Sequence, residues 1–388
     1  MSKVLTSLGL MSGTSMDGID IAVIKTDGKK IYTIGPSFST SYIPEIKFLI
    51  KRAVEEKRDI DTAEQAITLA HAEVVKNFLL QLGMSNSDID IIGFHGHTID
   101  HDPDNGITIQ IGDGELLAKQ TGIDVICDFR SNDVDNGGQG APLVPIYQKI
   151  LFDRELEKSA GKAIAVLNIG GISNITFIDN DNLIAMDTGM GNALLDSWVQ
   201  KKSDKEFDKD GNISLSGKVD EVVLSRVFDD KFFTKKPPKS LDRMDFSLDN
   251  FEELSLENGA ATIVAFTTEA VRKSFDFLPS IPSICYVTGG GRLNKAIMKD
   301  LSKRLPCEVV DIDDLGYDGD ALEAQAFALL AVRSKYKMPI TFSTTTGVCQ
   351  DMSRSSVEEL DPSNSLNVEK CNTESKMSSA TGGVFYPA

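Results

Sequence analysis

A strand, a short glycine-rich loop, a second strand, a turn and a third strand follow one another twice in this chain. The first copy has its loop at residues 12–18, between apolar runs that end at Met11 and begin at Ile19. The second copy occupies residues 163–191, with its loop at Gly170-Gly171. An internal repeat of a whole structural unit indicates that the chain builds similar modules more than once. The sequence therefore predicts two similar domains that face each other across a cleft.

The loop at residues 12–18 combines the groups that a nucleotide phosphate site needs. Its glycines allow backbone N–H groups to approach an anion closely, because no Cβ intervenes. Thr14 and Ser15 add hydroxyl donors, and Asp17 can hold a Mg²⁺ ion that in turn binds phosphate. Glycine, serine and aspartate are also typical of an ordinary hairpin turn, so the loop by itself leaves both interpretations open.

This loop is not a Walker-type P-loop. Gly13 and Gly18 have the required spacing, but Ile19-Asp20 stands where Lys and Ser or Thr are needed. A P-loop also leads into a helix, whereas this loop leads into an apolar run typical of a strand. A third glycine-rich stretch, Gly289-Gly290-Gly291, follows an apolar run and precedes a helical pattern, which favours another anion contact. Together the three loops indicate a nucleotide site that both domains line.

Apolar spacing outlines the remaining elements. Helical spacing is found over residues 44–57, 62–82, 114–121, 191–202, 218–228, 256–277, 293–304 and 321–336. Runs typical of strands alternate with these segments, as from Asp124 to Asp128. The alternation predicts a mixed α/β architecture.

Longer motifs, spread over residues 4–348, carry a resemblance to a known family. They are Gly9–Asp20, Gly93–Thr98, Gln110–Asp113, Asp128–Arg130, Gly137–Pro145, Asn168–Asn174, Asp187–Asn192, Lys236–Ser240, Gly289–Asn294 and Gly319–Ala328. In these motifs the chain resembles the anhydro-N-acetylmuramic acid kinases, which belong to the actin, hexokinase and Hsp70 superfamily. The resemblance implies an α/β fold in which two actin-like (ribonuclease H-like) domains flank a cleft for ATP and a sugar.

Two positions depart from the family pattern. Met190 stands where the family usually has proline, and Leu241–Met244 stands where many relatives have a Thr-Gly-Arg-Glu run. Neither change removes an obvious catalytic group. Both leave open how the local turns and the sugar contacts are built.

The repeat and the composition predict the domain boundaries. We expect the first domain to hold residues 1–145 together with about 321–348, and the second to hold residues 146–320. Residues 349–380 are rich in Ser, Asn, Glu and Thr, which predicts a disordered tail. Residues 381–388 are more apolar and form a candidate docking end.

The resemblance implies an ATP-dependent phosphotransferase with an alcohol group as acceptor. In such a reaction, water opens the 1,6-anhydro bridge of anhydro-N-acetylmuramic acid and the released O6 takes the γ-phosphoryl group. The product, N-acetylmuramic acid 6-phosphate, belongs to cell-wall sugar recycling. The resemblance also implies that Asp187 is the base that activates the water, and that Glu323 is a second carboxylate near this water.

The residues alone leave both carboxylates open to other interpretations. Asp187 follows the apolar run Leu183–Met186, a place that suits a general base and equally a turn aspartate. Glu323 stands at the start of the last amphipathic helical pattern, where it could simply face solvent and favour the helix dipole.

The sequence and the resemblance together predict the binding residues. The predicted ATP contacts are Gly13, Thr14, Ser15, Met16, Asp17, Gly18, Ile19, Asp20, Gly170, Gly171, Gly289 and Gly290. Asp17 and Asp20 are expected to position Mg²⁺, directly or through water.

The substrate side is predicted from three residues, His97, Arg130 and Asn174. Arg130 is the best cation to meet a sugar carboxylate or phosphate, although an ordinary ion pair is an equal alternative. His95, His97 and His101 lie close together and could form a metal site. The alternative is a polar segment that lines the cleft, and the resemblance favours a substrate-side or structural role.

Composition narrows the function classes. A net charge of −18 argues against nucleic-acid binding through a broad electrostatic patch. No apolar run reaches the length of a membrane span, and five cysteines without CxxC pairs favour a reducing cytoplasm. The resemblance also implies that the protein forms a homodimer.

Two other function classes remain open at this point. One is a kinase of another sugar or small alcohol in the same superfamily. The other is a non-catalytic ATP-dependent actuator of the kind represented by Hsp70 and actin.

Overall fold

The computed structural model describes residues 2–13, 16, 18–159, 161–241, 246–349 and, for the backbone alone, 383–385. Its strands are β1 (Leu5–Met11), β2 (Gly18–Thr26), β3 (Ile31–Ser41), β4 (Ile91–Phe94), β5 (His97–Asp102), β6 (Ile107–Ile111), β7 (Val125–Cys127), β8 (Ile164–Ile169), β9 (Ile172–Ile178), β10 (Leu183–Met190), β11 (Ile284–Thr288), β12 (Glu308–Asp311) and β13 (Gly383–Phe385).

Its α-helices are α1 (Pro44–Lys51), α2 (Ile60–Gln81), α3 (Gly114–Thr121), α4 (Ser131–Asp135), α5 (Pro145–Leu151), α6 (Asp153–Lys158), α7 (Asn192–Lys202), α8 (Asn212–Ser216), α9 (Glu221–Val227), α10 (Leu256–Ser274), α11 (Lys295–Arg304) and α12 (Leu322–Lys335). A π-helical segment, Arg52–Glu56, continues α1. Every helical segment predicted from apolar spacing is present. The short helices α4, α5, α6 and α8 lie outside those segments, because helices of one or two turns give only a weak helical period in the sequence.

Apart from the additional edge strand β13 in the first sheet, the two large sheets have the same strand order when the second is read from β12 to β10. The first runs β13-β7-β4-β1-β2-β3 and the second runs β10-β9-β8-β11-β12. In the first sheet β1 pairs antiparallel with β2 and parallel with β4; in the second, β8 pairs antiparallel with β9 and parallel with β11. An antiparallel meander followed by parallel strands therefore occurs twice. This arrangement confirms the predicted repeat and the α/β fold with two actin-like sheets.

Close backbone approach explains two of the motif glycines. Helix α12 lies directly across the first sheet, and a Cβ on Gly9 would stand 1.8 Å from the Ala324 carbonyl oxygen. A Cβ on Gly93, on the neighbouring strand, would stand 2.1 Å from the Phe327 carbonyl oxygen. Only glycine lets the helix pack this closely, so these positions serve the fold rather than the ligand.

Helix α12 is buried on nearly every side, and Glu323 is the one half-buried residue before its last turn. The prediction of an amphipathic last helix is therefore wrong. One face of α12 lies on β1 and β4, and the other packs against α5, for example through the bond from the Tyr147 hydroxyl to Gln325. A helix enclosed by layers on both sides has no need of a polar face.

The chain after α12 contacts the second sheet as well. The Ala185 N–H donates to the Thr344 carbonyl oxygen at 3.2 Å, and the Thr344 hydroxyl donates to the Leu183 carbonyl oxygen at 2.5 Å. Strand β13 pairs antiparallel with β7 at the edge of the first sheet. The predicted disordered tail lies almost wholly outside the described residues, and the domain boundaries stay a prediction. No described helix has the length and apolar character that a membrane crossing requires.

Candidate active site

A cleft of about 580 Å³ lies between the two sheets. All three glycine-rich loops reach it, through Gly13 and Gly18, Gly170 and Gly171, and Gly289 and Gly290. The other predicted site residues that line the same cleft are Asp20, Arg130, Asn174, Asp187 and Glu323. Residues that are far apart in sequence thus meet around one cavity.

The first loop is described only in part. Thr14, Ser15 and Asp17 lie outside the described residues, so their contacts with phosphate and Mg²⁺ stay predictions. The side chains of Met16 and Ile19 are buried in the core of the first sheet. Neither side chain lines the cleft of the glycine loops, although Met16 borders a neighbouring cavity together with His101 and Leu241.

Asp20 lies on β2, opposite Met11 of β1, and its side chain faces the cleft. The Ser39 hydroxyl on β3 donates to its Oδ1 at 2.5 Å. This bond fixes the carboxylate beside the first glycine loop. An oxygen ligand held in this place suits a hard cation such as Mg²⁺.

The second loop is tied to the start of helix α7. The Asn192 N–H donates to the Gly170 carbonyl oxygen at 2.7 Å, and the Gly191 N–H donates to the Gly171 carbonyl oxygen at 2.9 Å. A Cβ on Gly170 would meet nothing nearer than 3.7 Å, and one on Gly290 nothing nearer than 3.5 Å. Since protein packing does not fill the space beside these glycines, the cleft offers a cradle for a phosphate chain.

Asp187 lies within β10, and the strand continues beyond it to Met190. From the sequence, Asp187 was expected to follow the end of the strand, and this expectation is wrong. The strand continues past Asp187 through a β-bulge between Asp187 and Gly189. The bulge turns the carboxylate toward the cleft while the pairing with β9 continues. Asn174 stands directly opposite Asp187 in the register, so the two predicted residues are neighbours.

Two backbone hydrogen bonds hold Asp187. The Leu241 N–H donates to its Oδ2 at 2.8 Å, and the Asp187 N–H donates to the Lys239 carbonyl oxygen at 3.0 Å. Asp187 is only 5% exposed. A nearly buried carboxylate with a fixed orientation has the geometry of a general base.

Glu323 is half-buried in the first turn of α12 and lines the cleft rather than facing bulk solvent. The Asn168 side chain donates to its Oε1 at 3.2 Å. Burial raises the pKa of Glu323 and the nearby Asp20 carboxylate raises it further, whereas Arg130 and the Asn168 bond oppose the rise. Asn168 had no predicted role, although a polar residue at the end of the apolar run 163–169 was a visible signal.

Arg130 is held by two acceptors on the first-sheet side of the cleft. Its Nε donates to Nε2 of His95 at 3.1 Å, and its Nη1 donates to the Gly140 carbonyl oxygen at 2.8 Å. Burial lowers the pKa of Arg130, and the carboxylates of Glu323 and Asp187 oppose that change. The guanidinium therefore stays charged in a cleft that also contains both proposed catalytic carboxylates.

The sequence is similar to proteins of one known family. Residues 5–358 match the profile of the anhydro-N-acetylmuramic acid kinase family. A protein of that name from Methylobacterium nodulans is 44% identical, over 90% of this chain and 98% of the relative. Another from Zymomonas mobilis is 45% identical, over 90% and 98%.

The chain belongs to the anhydro-N-acetylmuramic acid kinase family.

In this member of the anhydro-N-acetylmuramic acid kinase family, His97 is buried and does not reach the cleft surface. Its Nδ1 lies 3.0 Å from the Ser12 hydroxyl, which also accepts a bond from the Tyr42 hydroxyl at 2.8 Å. Burial lowers the pKa of His97 to about 4, so the ring is neutral near pH 7. His97 therefore supports the first glycine loop from beneath, and His101 and Thr98 are the residues of this segment that line the cleft.

The histidine segment gives no sign of the metal site considered as one alternative. Across the part of the chain that the structure describes, no three His, Cys, Asp or Glu side chains converge as metal ligands. His95 and His97 are instead engaged with Arg130 and Ser12.

Arg292 holds the third glycine loop, Gly289–Gly291, and the sequence analysis predicted no role for it. Its Nη1 donates to the Gly289 carbonyl oxygen at 3.1 Å and to Oδ1 of Asp320 at 2.6 Å. Its Nη2 donates to Oδ2 of Asp313 at 3.1 Å. Arg292 thus joins the glycine loop to the turn that precedes Glu323.

Proposed function

We propose that this protein is an ATP-dependent kinase that opens the 1,6-anhydro bridge of anhydro-N-acetylmuramic acid and phosphorylates O6. The observation that carries the proposal is that two carboxylates, one arginine and three glycine loops line a single cleft. Membership of the family supplies the substrate class. The product is N-acetylmuramic acid 6-phosphate, an intermediate of cell-wall sugar recycling.

Asp187 is the proposed base. Its carboxylate takes a proton from water, and the water oxygen forms a bond to the anomeric carbon of the sugar. The bond between the anomeric carbon and the bridging oxygen breaks, which releases O6. O6 then bonds to the γ-phosphorus, and ADP leaves. The fixed orientation given by Leu241 supports this role because a general base must be within hydrogen-bond reach of its proton.

Glu323 is the proposed second carboxylate beside the water. It enters the cleft from α12 of the first-sheet side, whereas Asp187 enters from β10 of the second sheet. Carboxylates that reach a cavity from opposite sides can orient one water between them. The Asn168 bond keeps the Glu323 side chain in place for this purpose.

Arg130 and Asn174 are proposed to face the sugar, with Arg130 as the partner of its carboxylate or of the transferred phosphoryl group. A guanidinium suits either anion because it offers paired donors in one plane. His97 acts indirectly, through Ser12 and the first glycine loop.

The glycine loops are proposed to hold ATP with Mg²⁺. The open space beside Gly170 and Gly290 supports the fit of a phosphate chain. Mg²⁺ favours oxygen ligands and is commonly held by one or two carboxylates together with substrate phosphates. Asp20 offers such a carboxylate, and Asp17 stays the second predicted one. The ion supplies charge neutralisation for phosphoryl transfer when bound.

The expected cytoplasmic location and homodimer belong to the same proposal. Cytosolic ATP as the phosphoryl donor supports the location. Size-exclusion chromatography with light scattering tests the oligomeric state directly.

Mass spectrometry of the products tests the proposal. The purified protein is incubated with Mg²⁺-ATP and 1,6-anhydro-N-acetylmuramic acid. A product heavier by one phosphoryl group and one water establishes coupled ring opening and phosphorylation. Phosphorylation without water points to an ordinary sugar kinase, and an unchanged sugar contradicts the proposed substrate. Asp187→Asn is the matched control for a contaminating kinase.

A further inference from the structure

His95 is a buried titratable residue that the proposed chemistry does not use. It follows β4 directly, and its backbone N–H donates to the Leu10 carbonyl oxygen of β1 at 3.2 Å. Its ring is 5% exposed and lies 4.7 Å from the ring of Phe327 on α12, measured between centroids. The imidazole is therefore fixed between the first sheet and the helix that carries Glu323.

The hydrogen bonds of the ring determine its tautomer. A guanidinium has only donors, so the 3.1 Å contact from Nε of Arg130 requires Nε2 of His95 to accept. The proton of a neutral ring must then be on Nδ1. This agrees with the 3.0 Å contact between Nδ1 and the Gly96 carbonyl oxygen, which can only accept. Both ring nitrogens are thus used in one consistent arrangement.

The electrostatic surroundings favour the same neutral state. Burial lowers the pKa of His95 well below its usual value, and the charge of Arg130 lowers it further. His97 and His71 are the other titratable groups that act on the ring, and both lower its pKa. A second proton would place an N–H of the ring against an N–H of the guanidinium.

We propose that His95 is a positioning residue: its neutral ring, protonated at Nδ1, aims the Arg130 guanidinium into the cleft. Nε and Nη1 of Arg130 are held by His95 and Gly140 on the first-sheet side. The guanidinium plane is thereby set by two acceptors, and its other edge is directed toward the substrate. This proposal depends on the proposed function only for the identity of the substrate that Arg130 faces.

Two substitutions separate the positioning role from simple packing. In His95→Gln the side-chain oxygen reaches about as far as Nε2 and can accept from Arg130. His95→Leu fills a similar volume without an acceptor. We expect kcat/KM for the sugar to stay within about threefold in His95→Gln and to fall roughly 10- to 100-fold in His95→Leu, the usual range for a hydrogen bond to a charged group. Equal losses in the two variants would overturn the proposal.

A double-mutant cycle with Arg130→Met tests whether His95 acts through Arg130. We expect His95→Leu to cost no more than about threefold when Arg130 is already replaced. If His95→Leu costs the same factor in both backgrounds, its role is structural and the proposal is wrong. Thermal unfolding of each variant identifies any that fails to fold, and His95→Gln then carries the comparison.

An NMR measurement tests the proposed tautomer of His95 without relying on enzyme activity. The ¹⁵N chemical shifts of the His95 ring distinguish a protonated from an unprotonated nitrogen. We expect protonated Nδ1 and unprotonated Nε2 at pH 7, together with a slowly exchanging Arg130 Nε–H that is lost in His95→Leu. A ring protonated at Nε2 overturns the inference. If the wild-type protein does not convert the sugar, the proposed function is wrong, but the proposal that His95 positions Arg130 is unaffected.

Discussion

The backbone N–H of Leu241 donates a hydrogen bond to Oδ2 of Asp187 at 2.8 Å, across 54 residues of sequence. Leu241 is also the first residue of the stretch that, from the family resemblance, is expected to differ from many relatives. Because the contact uses the backbone N–H, a leucine side chain in place of threonine leaves it unchanged. Residues 242–244, the rest of the departing stretch, lie outside the described residues. The departure at Leu241 is therefore compatible with Asp187 as a base.

Asp187→Asn should abolish turnover while nucleotide binding is retained. Asparagine keeps the size of the side chain and can still accept from Leu241 through its oxygen, but it cannot take a proton from water. We expect kcat to fall by roughly 10²- to 10⁴-fold and the Kd for ATP to stay within about threefold. Steady-state kinetics and calorimetric titration measure the two quantities. A kcat near the wild-type value would exclude Asp187 as the base.

Asn168→Ala should move the acidic limb of the kcat profile to higher pH. The Asn168 amide donates to Glu323 and lowers its pKa, whereas burial and Asp20 raise it. Without the amide the pKa of Glu323 rises, so the ionised form is lost at a higher pH. Asp20→Asn should shift the same limb to lower pH, since it removes a negative charge. A limb that moves in neither variant would show that ionised Glu323 is not required.

Lys239→Met should change how stability depends on pH. Lys239 is buried, donates to the Phe232 carbonyl oxygen at 3.1 Å, and lies 4.2 Å from the Phe232 ring and 4.8 Å from the Phe277 ring. Burial lowers its pKa to about 8 from the usual 10.5, and Lys235 adds to this, although Asp187 opposes it. The unfolded chain therefore binds more protons between pH 8 and 10.5, and this residue makes stability rise with pH there.

Urea unfolding at pH 7.5, 8.5 and 9.5 measures this effect. We expect the wild-type protein to gain stability relative to Lys239→Met as the pH rises. Lys236→Met is the matched control, because it makes the same replacement at an exposed lysine of the same segment. Parallel curves for the wild type and Lys239→Met would mean that Lys239 titrates at its ordinary pKa.

Two glycine substitutions should separate a ligand-facing loop from a packing contact. Gly170→Ala places a methyl group in open cleft space, 3.7 Å from its nearest neighbour. We expect the KM for ATP to rise roughly tenfold, and stability to change by less than about 0.5 kcal/mol. Gly9→Ala would place its Cβ 1.8 Å from the Ala324 carbonyl oxygen and should destabilise the fold by about 2 kcal/mol or more. Thermal unfolding and kinetics of both variants check the contrast. A stable Gly9→Ala protein or an unchanged KM in Gly170→Ala would contradict it.

Much of the candidate site followed from local patterns. The three glycine loops could be read from sequence because glycine and hydroxyl residues between apolar runs mark tight turns next to strands. The pattern around Asp187 allowed a general base or a turn aspartate, and the family resemblance favoured the base; Glu323 was identified through the resemblance. Asn168 and Arg292 were missed, because each acts through a partner more than twenty residues away.

The architecture could be predicted from the sequence by itself because it depends on patterns among neighbouring residues. The alternation of apolar runs and glycine loops repeats in both halves, and strand periodicity is a property of neighbouring residues, so two similar α/β domains could be expected. Tertiary packing decided which side chains meet. It buried His97 beneath Ser12, set His95 against Arg130, and brought the Leu241 N–H to Asp187. These contacts depend on the register and crossing of distant elements, which no short stretch of sequence specifies.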